Sequence, residues 1–126
     1  MEKKIRVMAV DDSKVSLLTI KRHLDGTDFE LAGTLQSGID ALARYGEIKP
    51  DVVLLDVVMP DMDGVTLLTR IRALDATVKI IMVSSLGTKE KVLECMEKGA
   101  TSFLMKPYDK DGLVSVLRAA SSGAAA

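Results

Sequence analysis

The sequence predicts an α/β domain, a parallel sheet with helices packed on both faces. Three observations carry that expectation. Five short apolar runs alternate with five segments of helical spacing along the chain. The third and fourth runs, residues 52–55 (VVLL) and 80–83 (IIMV), are apolar without alternation, as central strands covered on both faces must be. The length, 126 residues, suits one domain of three layers and is too short for two.

Each element follows in order. The first run, Ile5–Val10 (IRVMAV), precedes a helix whose N-cap is Asp12 or Ser13 and whose apolar positions are Val15, Leu18, His23 and Leu24. Phe29–Leu35 (FELAGTL) is the second strand. A helix over Gly38–Ile48 follows it, with Ile39, Leu42 and Tyr45 at i, i+3 and i+6. After residues 52–55, Gly64–Leu74 carries Val65, Leu68 and Ile71 at helical spacing. After residues 80–83, Thr88 can cap a helix whose Val92, Leu93 and Met96 form an apolar stripe ending at Gly99. Ser102–Met105 (SFLM) is the fifth strand, and a last helix from about Asp109 puts Leu113, Val116 and Leu117 on one face. Strand–helix alternation of this kind argues for right-handed crossovers and a parallel sheet. Residues 1–120 make up the domain; residues 121–126 (SSGAAA) carry no apolar pattern and read as a flexible tail, a linker stub or an added end.

Composition excludes several function classes. Hydrophobic residues make up 48% and charged residues 28%, a globular balance. Seventeen basic against eighteen acidic residues give a net charge of −1, so there is no global field to draw nucleic acid or an anionic membrane. No apolar run approaches the ~20 residues that span a bilayer. Asp11 and Asp12 end the first apolar run too soon for a signal peptide, and the lone Cys95 fits a reducing compartment. A cytoplasmic location is the expectation.

Ligands of open α/β sheets bind beyond the carboxyl ends of the strands, so the polar residues that follow each run matter most. Asp11 and Asp12 follow the first, Asp56 the third, Ser84 the fourth and Lys106 the fifth. Singly, each has a plain structural reading: a helix cap, a turn, a loop hydroxyl, a solvated lysine. Jointly they do not. Three carboxylates at one sheet edge repel one another, and a bound cation offsets that repulsion. Oxygen donors without His or Cys point to Mg²⁺ or Mn²⁺ rather than zinc. Such a metal beside an aspartate, a lysine and a hydroxyl suggests phosphoryl chemistry on an aspartate nucleophile.

At these residues the sequence resembles the receiver domain of two-component response regulators, over residues 5–120. The motifs are AVDDS at residues 9–13, LLDVVMPDMDG at 54–64, MVSS at 82–85 and MKPY at 105–108. The resemblance implies a flavodoxin-like sheet of order 2-1-3-4-5 with five flanking helices. It implies that Asp56 accepts a phosphoryl group from a histidine kinase or phosphotransfer protein. Asp11, Asp12, Asp56 and the backbone carbonyl of Val58 would hold Mg²⁺ or Mn²⁺. Ser84 would be the switch hydroxyl, Lys106 the phosphate contact before a cis proline bond, and Phe103 the aromatic switch. The face made by the fourth helix, fifth strand and fifth helix would then bind an output partner or a second copy.

Two departures from the family's pattern matter. Many members carry a polar residue two positions after the phosphoacceptor, where this chain has Val58; Leu86, two positions after the switch hydroxyl, is apolar as well. Slow hydrolysis of the aspartyl phosphate is the expectation. Phe103 replaces a common Tyr. The remaining residues read as structural: Met8, Met82, Met96 and Met105 as core fillers, Cys95 as packed in or beside the fourth helix, His23 as a helix residue without a second ligand. A flavin carrier of the same architecture conflicts with the acids in the first loop and with an aromatic content of 3%. A metal-dependent phosphatase conflicts with adjacent, rather than alternate, acids and with the absence of length for a cap. A degenerate receiver acting as a phosphorylation-independent binding module conflicts with the complete site.

Overall fold

The computed structural model describes residues 3–122. The elements run β1 (Ile5–Val10), α1 (Lys14–Leu24), β2 (Phe29–Leu35), α2 (Gly38–Ile48), β3 (Val52–Asp56), α3 (Gly64–Leu74), β4 (Lys79–Ser84), α4 (Lys89–Glu97), β5 (Ser102–Met105) and α5 (Lys110–Ser121). The five strands are all parallel, in the order β2-β1-β3-β4-β5. Both the fold class and the order agree with expectation. β1 and β3 are central, and their junction is where the strand order reverses. One irregularity interrupts the β1–β2 ladder, where Val7 pairs with Leu31 and Met8 with Gly33.

The unalternating strands are explained by two cores, one on each side of the sheet. Met8, Val10, Val53, Leu55, Ile80 and Met82 face α2, α3 and α4. Their neighbours Val7, Ala9, Val52, Leu54, Ile81 and Val83 face α1 and α5. Successive side chains on a strand point to opposite faces, so a strand buried on both sides has no use for polar positions. The helices start at side-chain caps: Ser13 accepts from the Ser16 N–H, Thr88 from Lys91 and Asp109 from Gly112. Ser13, not Asp12, therefore caps α1, which leaves Asp12 exposed at the sheet edge.

Several helix faces differ from the sequence expectation. α1 buries Leu17, Ile20 and Leu24, while Val15 and Leu18 are exposed. Both sets have helical spacing, and the sheet covers only one; three large side chains at i, i+3 and i+7 bury more, at about 1.5–3 kcal/mol each. In α2 the buried residues are Ala41, Tyr45 and Ile48, with Ile39 exposed. In α4 Cys95 is the buried residue, and the expected stripe is turned outward at Leu93 and Met96. α5 buries Leu113 and Leu117 with Val114, and Val116 is half-buried. Met8 and Met82 are core residues, but Met96 and Met105 are 42% and 46% exposed and fill no core. Met105 ends an edge strand, which has a neighbour on one side alone. At the C-terminus, α5 includes Ser121 and Ser122 is its C-cap, so helix continues into the expected tail; residues 123–126 lie outside the described residues. Among the described residues no helix is long and apolar enough to cross a membrane.

Candidate functional site

Asp11, Asp12, Asp56, Ser84 and Lys106 all stand at the carboxyl ends of strands, as the sequence order implies. Asp56 and Ser84 are the last residues of β3 and β4; Asp11 and Asp12 follow β1, and Lys106 follows β5. The β1–β3 junction brings the three acids together. One carboxylate oxygen from each of Asp11, Asp12 and Asp56 lies within 4.8 Å of the others, and no His or Cys belongs to the group. Three oxygen donors of this kind suit a hard divalent cation such as Mg²⁺ or Mn²⁺ and do not suit zinc.

Burial makes the cluster costly without a counter-charge. Asp11 and Asp56 are buried, whereas Asp12 is exposed. Asp11 accepts the Ser13 N–H at 2.9 Å through Oδ1 and the Lys106 ammonium at 3.0 Å through Oδ2. The same ammonium stands 3.6 Å from Asp56 Oδ1. Burial pushes the Asp56 carboxyl up and the Asp11 charge pushes it further; Lys106 pulls it down and Asp12 raises it again, leaving it at about 6. Burial works against the Lys106 charge, but its hydrogen bond to Asp11 and the attraction of Asp56 and Asp11 outweigh it, so Lys106 is raised. Lys106 is therefore a fixed cation, and one cation does not balance three carboxylates.

The flanking loops are tightly tied. The Lys106 N–H donates to the Ser84 carbonyl at 2.9 Å, and the Lys106–Pro107 bond is cis. Ser84 is buried, and its hydroxyl oxygen accepts the Leu86 N–H at 2.9 Å, a bond that leaves its proton uncommitted. Phe103 pairs in register with Met82 and packs, half-buried, against the core on the α2, α3 and α4 side. Val58 and Leu86 are 59% and 61% exposed, on the loops that leave β3 and β4. Val57 and Met59 on either side of Val58 are buried.

Three residues around the site have roles that the strand-end rule does not pick out. Asp63 caps α3 by accepting the Val65 and Thr66 N–H groups, a signal visible in an Asp just before a helical run. Gly64 is pressed against the Asp56 carbonyl and the Val57 backbone, so that a Cβ there would overlap both. Asp61 reaches across to the first two N–H groups of α2, at Gly38 and Ile39. Nothing local announces that contact, since its partners lie on another element.

Comparison with known proteins gives a consistent result. The family model for the response regulator receiver domain matches residues 7–118. The chemotaxis protein CheY of Listeria monocytogenes is 36% identical over 93% of this chain and 98% of its own length. That of Bacillus subtilis is 35% identical over 89% and 93%. Among solved structures, a chain of the CheX-CheY-BeF3-Mg+2 complex from Borrelia burgdorferi is 32% identical with a TM-score of 0.88, over 91% of this chain and 87% of that one. The receiver domain of Thermotoga maritima CheB is 30% identical with a TM-score of 0.85, over 94% and 97%. An acid cluster at the β1–β3 junction, a lysine after β5 and this match across nearly the whole chain agree: the protein belongs to the response regulator receiver domain family of two-component systems and is CheY-like.

Proposed function

We propose that the protein is a phosphorylation-activated switch in which Asp56 accepts a phosphoryl group from the phosphohistidine of a kinase or phosphotransfer protein. The observation that carries this reading is the placement of three carboxylates within 4.8 Å beside one lysine. Asp11, Asp12, Asp56 and the Val58 carbonyl would hold Mg²⁺, which when bound neutralises charge on the transferring group. An oxygen of Asp56 attacks phosphorus, the phosphorus–nitrogen bond breaks, and the imidazole leaves with the electron pair and takes a proton from solvent. Lys106, held at the edge of the site by Asp11, supplies a cation to the phosphoryl oxygens. Ser84 has a hydroxyl proton to donate to one of them.

Transfer would then be read at a surface. A hydrogen bond from Ser84 to the phosphoryl group draws the β4–α4 loop inward, and Phe103 on the neighbouring strand repacks as that loop moves. Leu86, Leu93, Met96 and Met105 are exposed around α4 and β5, and they give the α4-β5-α5 face apolar area for an output partner. Next to Lys106, Val15, Ser16, Thr19, Ser85, Pro107 and Tyr108 line a shallow hollow of about 380 Å³, which would receive the phosphodonor.

Amide NMR spectra before and after adding Mg²⁺ with beryllofluoride, a phosphoryl mimic, test the switch. The expected shifts include Asp56, Ser84, Phe103 and residues along α4. Shifts confined to the loops around Asp56, with Phe103 and α4 unmoved, would favour a binding module that ignores phosphorylation.

A further inference from the structure

The loop between β3 and α3 carries Val58, and its two sides are fixed in different ways. On the α3 side, Asp63 caps the helix and the Gly64 N–H donates to the Val57 carbonyl at 2.7 Å. On the α2 side, the fixing group is the Asp61 carboxylate. Its Oδ1 accepts the Gly38 N–H at 3.2 Å and its Oδ2 the Ile39 N–H at 3.1 Å. These are N–H groups of the first turn of α2, which have no partner inside the helix. Ser37, the helix's own N-cap, takes the Asp40 N–H at 3.1 Å. The cap of α2 is thus shared between the preceding residue and an acid on a distant loop.

The contact is close as well as polar. A Cβ added to Gly38 would stand 3.0 Å from the Cβ of Met62, so the loop lies directly on the first residue of α2. The bonds from the Ile39 and Gly38 N–H groups hold the Asp61 carboxyl below the usual range, as an ionised acceptor at a helix N-terminus requires. Between the two fixed sides the chain passes through buried Val57, exposed Val58 and buried Met59.

We infer that Asp61 is a positioning residue: by clamping the β3–α3 loop to α2, it fixes the Val58 carbonyl toward the cation held by Asp11, Asp12 and Asp56. The inference rests on the proposed metal site. It makes metal affinity depend on a residue that touches neither the metal nor the phosphoryl group.

Calorimetric titration of Mg²⁺ into the full chain tests it, together with melting in chelator. Asp61→Ala is expected to weaken Mg²⁺ binding by about tenfold, the low end for groups that orient metal ligands. Asp61→Asn keeps one of the two acceptor oxygens and sets its NH2 against the other N–H, so it should fall between the parent and Asp61→Ala, roughly threefold below the parent. Ser37→Ala removes a capping bond from the same helix and should lower the melting temperature while leaving Mg²⁺ affinity unchanged. Asp61→Ala binding as tightly as the parent would overturn the clamp. So would a Ser37→Ala loss equal to that of Asp61→Ala, since helix stability alone would then account for it. A parent that binds no Mg²⁺ overturns the metal reading itself, and the inference with it; unmoved affinity in Asp61→Ala overturns the clamp alone.

Discussion

The Lys106 ammonium is bonded to Asp11 at 3.0 Å and stands farther, at 3.6 Å, from Asp56. The lysine that would meet the phosphoryl group is thus parked on a neighbouring acid, where it lowers the repulsion that the three carboxylates generate. In the proposed switch, transfer to Asp56 would bring new oxygens within its reach, and the Asp11 contact is what it would give up.

Lys106→Ala should therefore destabilise the metal-free protein. Breaking a fully buried pair costs about 3–5 kcal/mol, and with Lys106 half-buried about 2 kcal/mol is expected. Saturating Mg²⁺ should recover most of that loss, because the cation takes over the missing positive charge. Melting curves in chelator and in Mg²⁺ check this; an equal Mg²⁺ stabilisation of parent and variant would contradict it.

The Asp56 carboxyl, raised to about 6, makes a pH prediction with a definite sign. A folded state that holds the proton more tightly than the unfolded one is favoured below the unfolded value near 3.8 and loses that advantage as pH rises through about 6. In chelator, Asp56→Asn should gain about 2–3 kcal/mol over the parent at pH 7.5, and the gain should vanish near pH 4. Denaturant unfolding of both proteins at the two pH values reads it. A difference that does not change with pH would show that Asp56 is not strained by burial and its neighbours.

Asp12→Ala should relieve the same repulsion from the exposed side. Its metal-free fold should melt higher than the parent's, while Mg²⁺-dependent phosphorylation is lost. No gain in chelator would remove the basis for reading the cluster as a site that needs a cation.

In the proposed switch, Val58 and Leu86 would flank the route by which water reaches the aspartyl phosphate, and neither side chain can orient a water. Val58→Asn should speed loss of the phosphoryl group by about tenfold, the effect of one well-placed hydrogen bond of ~1.4 kcal/mol. The decay of the phosphorylated mass after removal of the donor measures it. An unchanged decay rate would mean that this position does not govern hydrolysis.

Gly64→Ala tests the packing behind Asp56. The added Cβ would meet the Asp56 carbonyl oxygen and the Val57 Cα, backbone atoms that cannot swing aside. A loss of about 3 kcal/mol in denaturant unfolding is expected, with poor phosphorylation as β3 shifts. A variant as stable as the parent would show that the loop has slack.

All five strands and the residues that end them were legible in the sequence, because β-branched runs, helical spacing and the strand-end rule are local signals. The buried faces of helices were less so. In α1, Val15 and Leu18 compete with Leu17, Ile20 and Leu24 at the same spacing, and only the sheet decides between them. In α4 the choice fell on Cys95, a small residue, and sent Leu93 and Met96 outward. The Asp61 contact was invisible for a different reason: its N–H partners lie 22 and 23 residues away, on an element whose position depends on the whole fold.

The most direct test of Asp56 as a Mg²⁺-dependent phosphoacceptor is the intact mass after incubation with acetyl phosphate, with and without Mg²⁺, for the parent and Asp56→Asn. One phosphoryl adduct is expected on the parent in Mg²⁺, none in chelator and none on the variant. An adduct that persists in Asp56→Asn, or none on the parent under any condition, would contradict it.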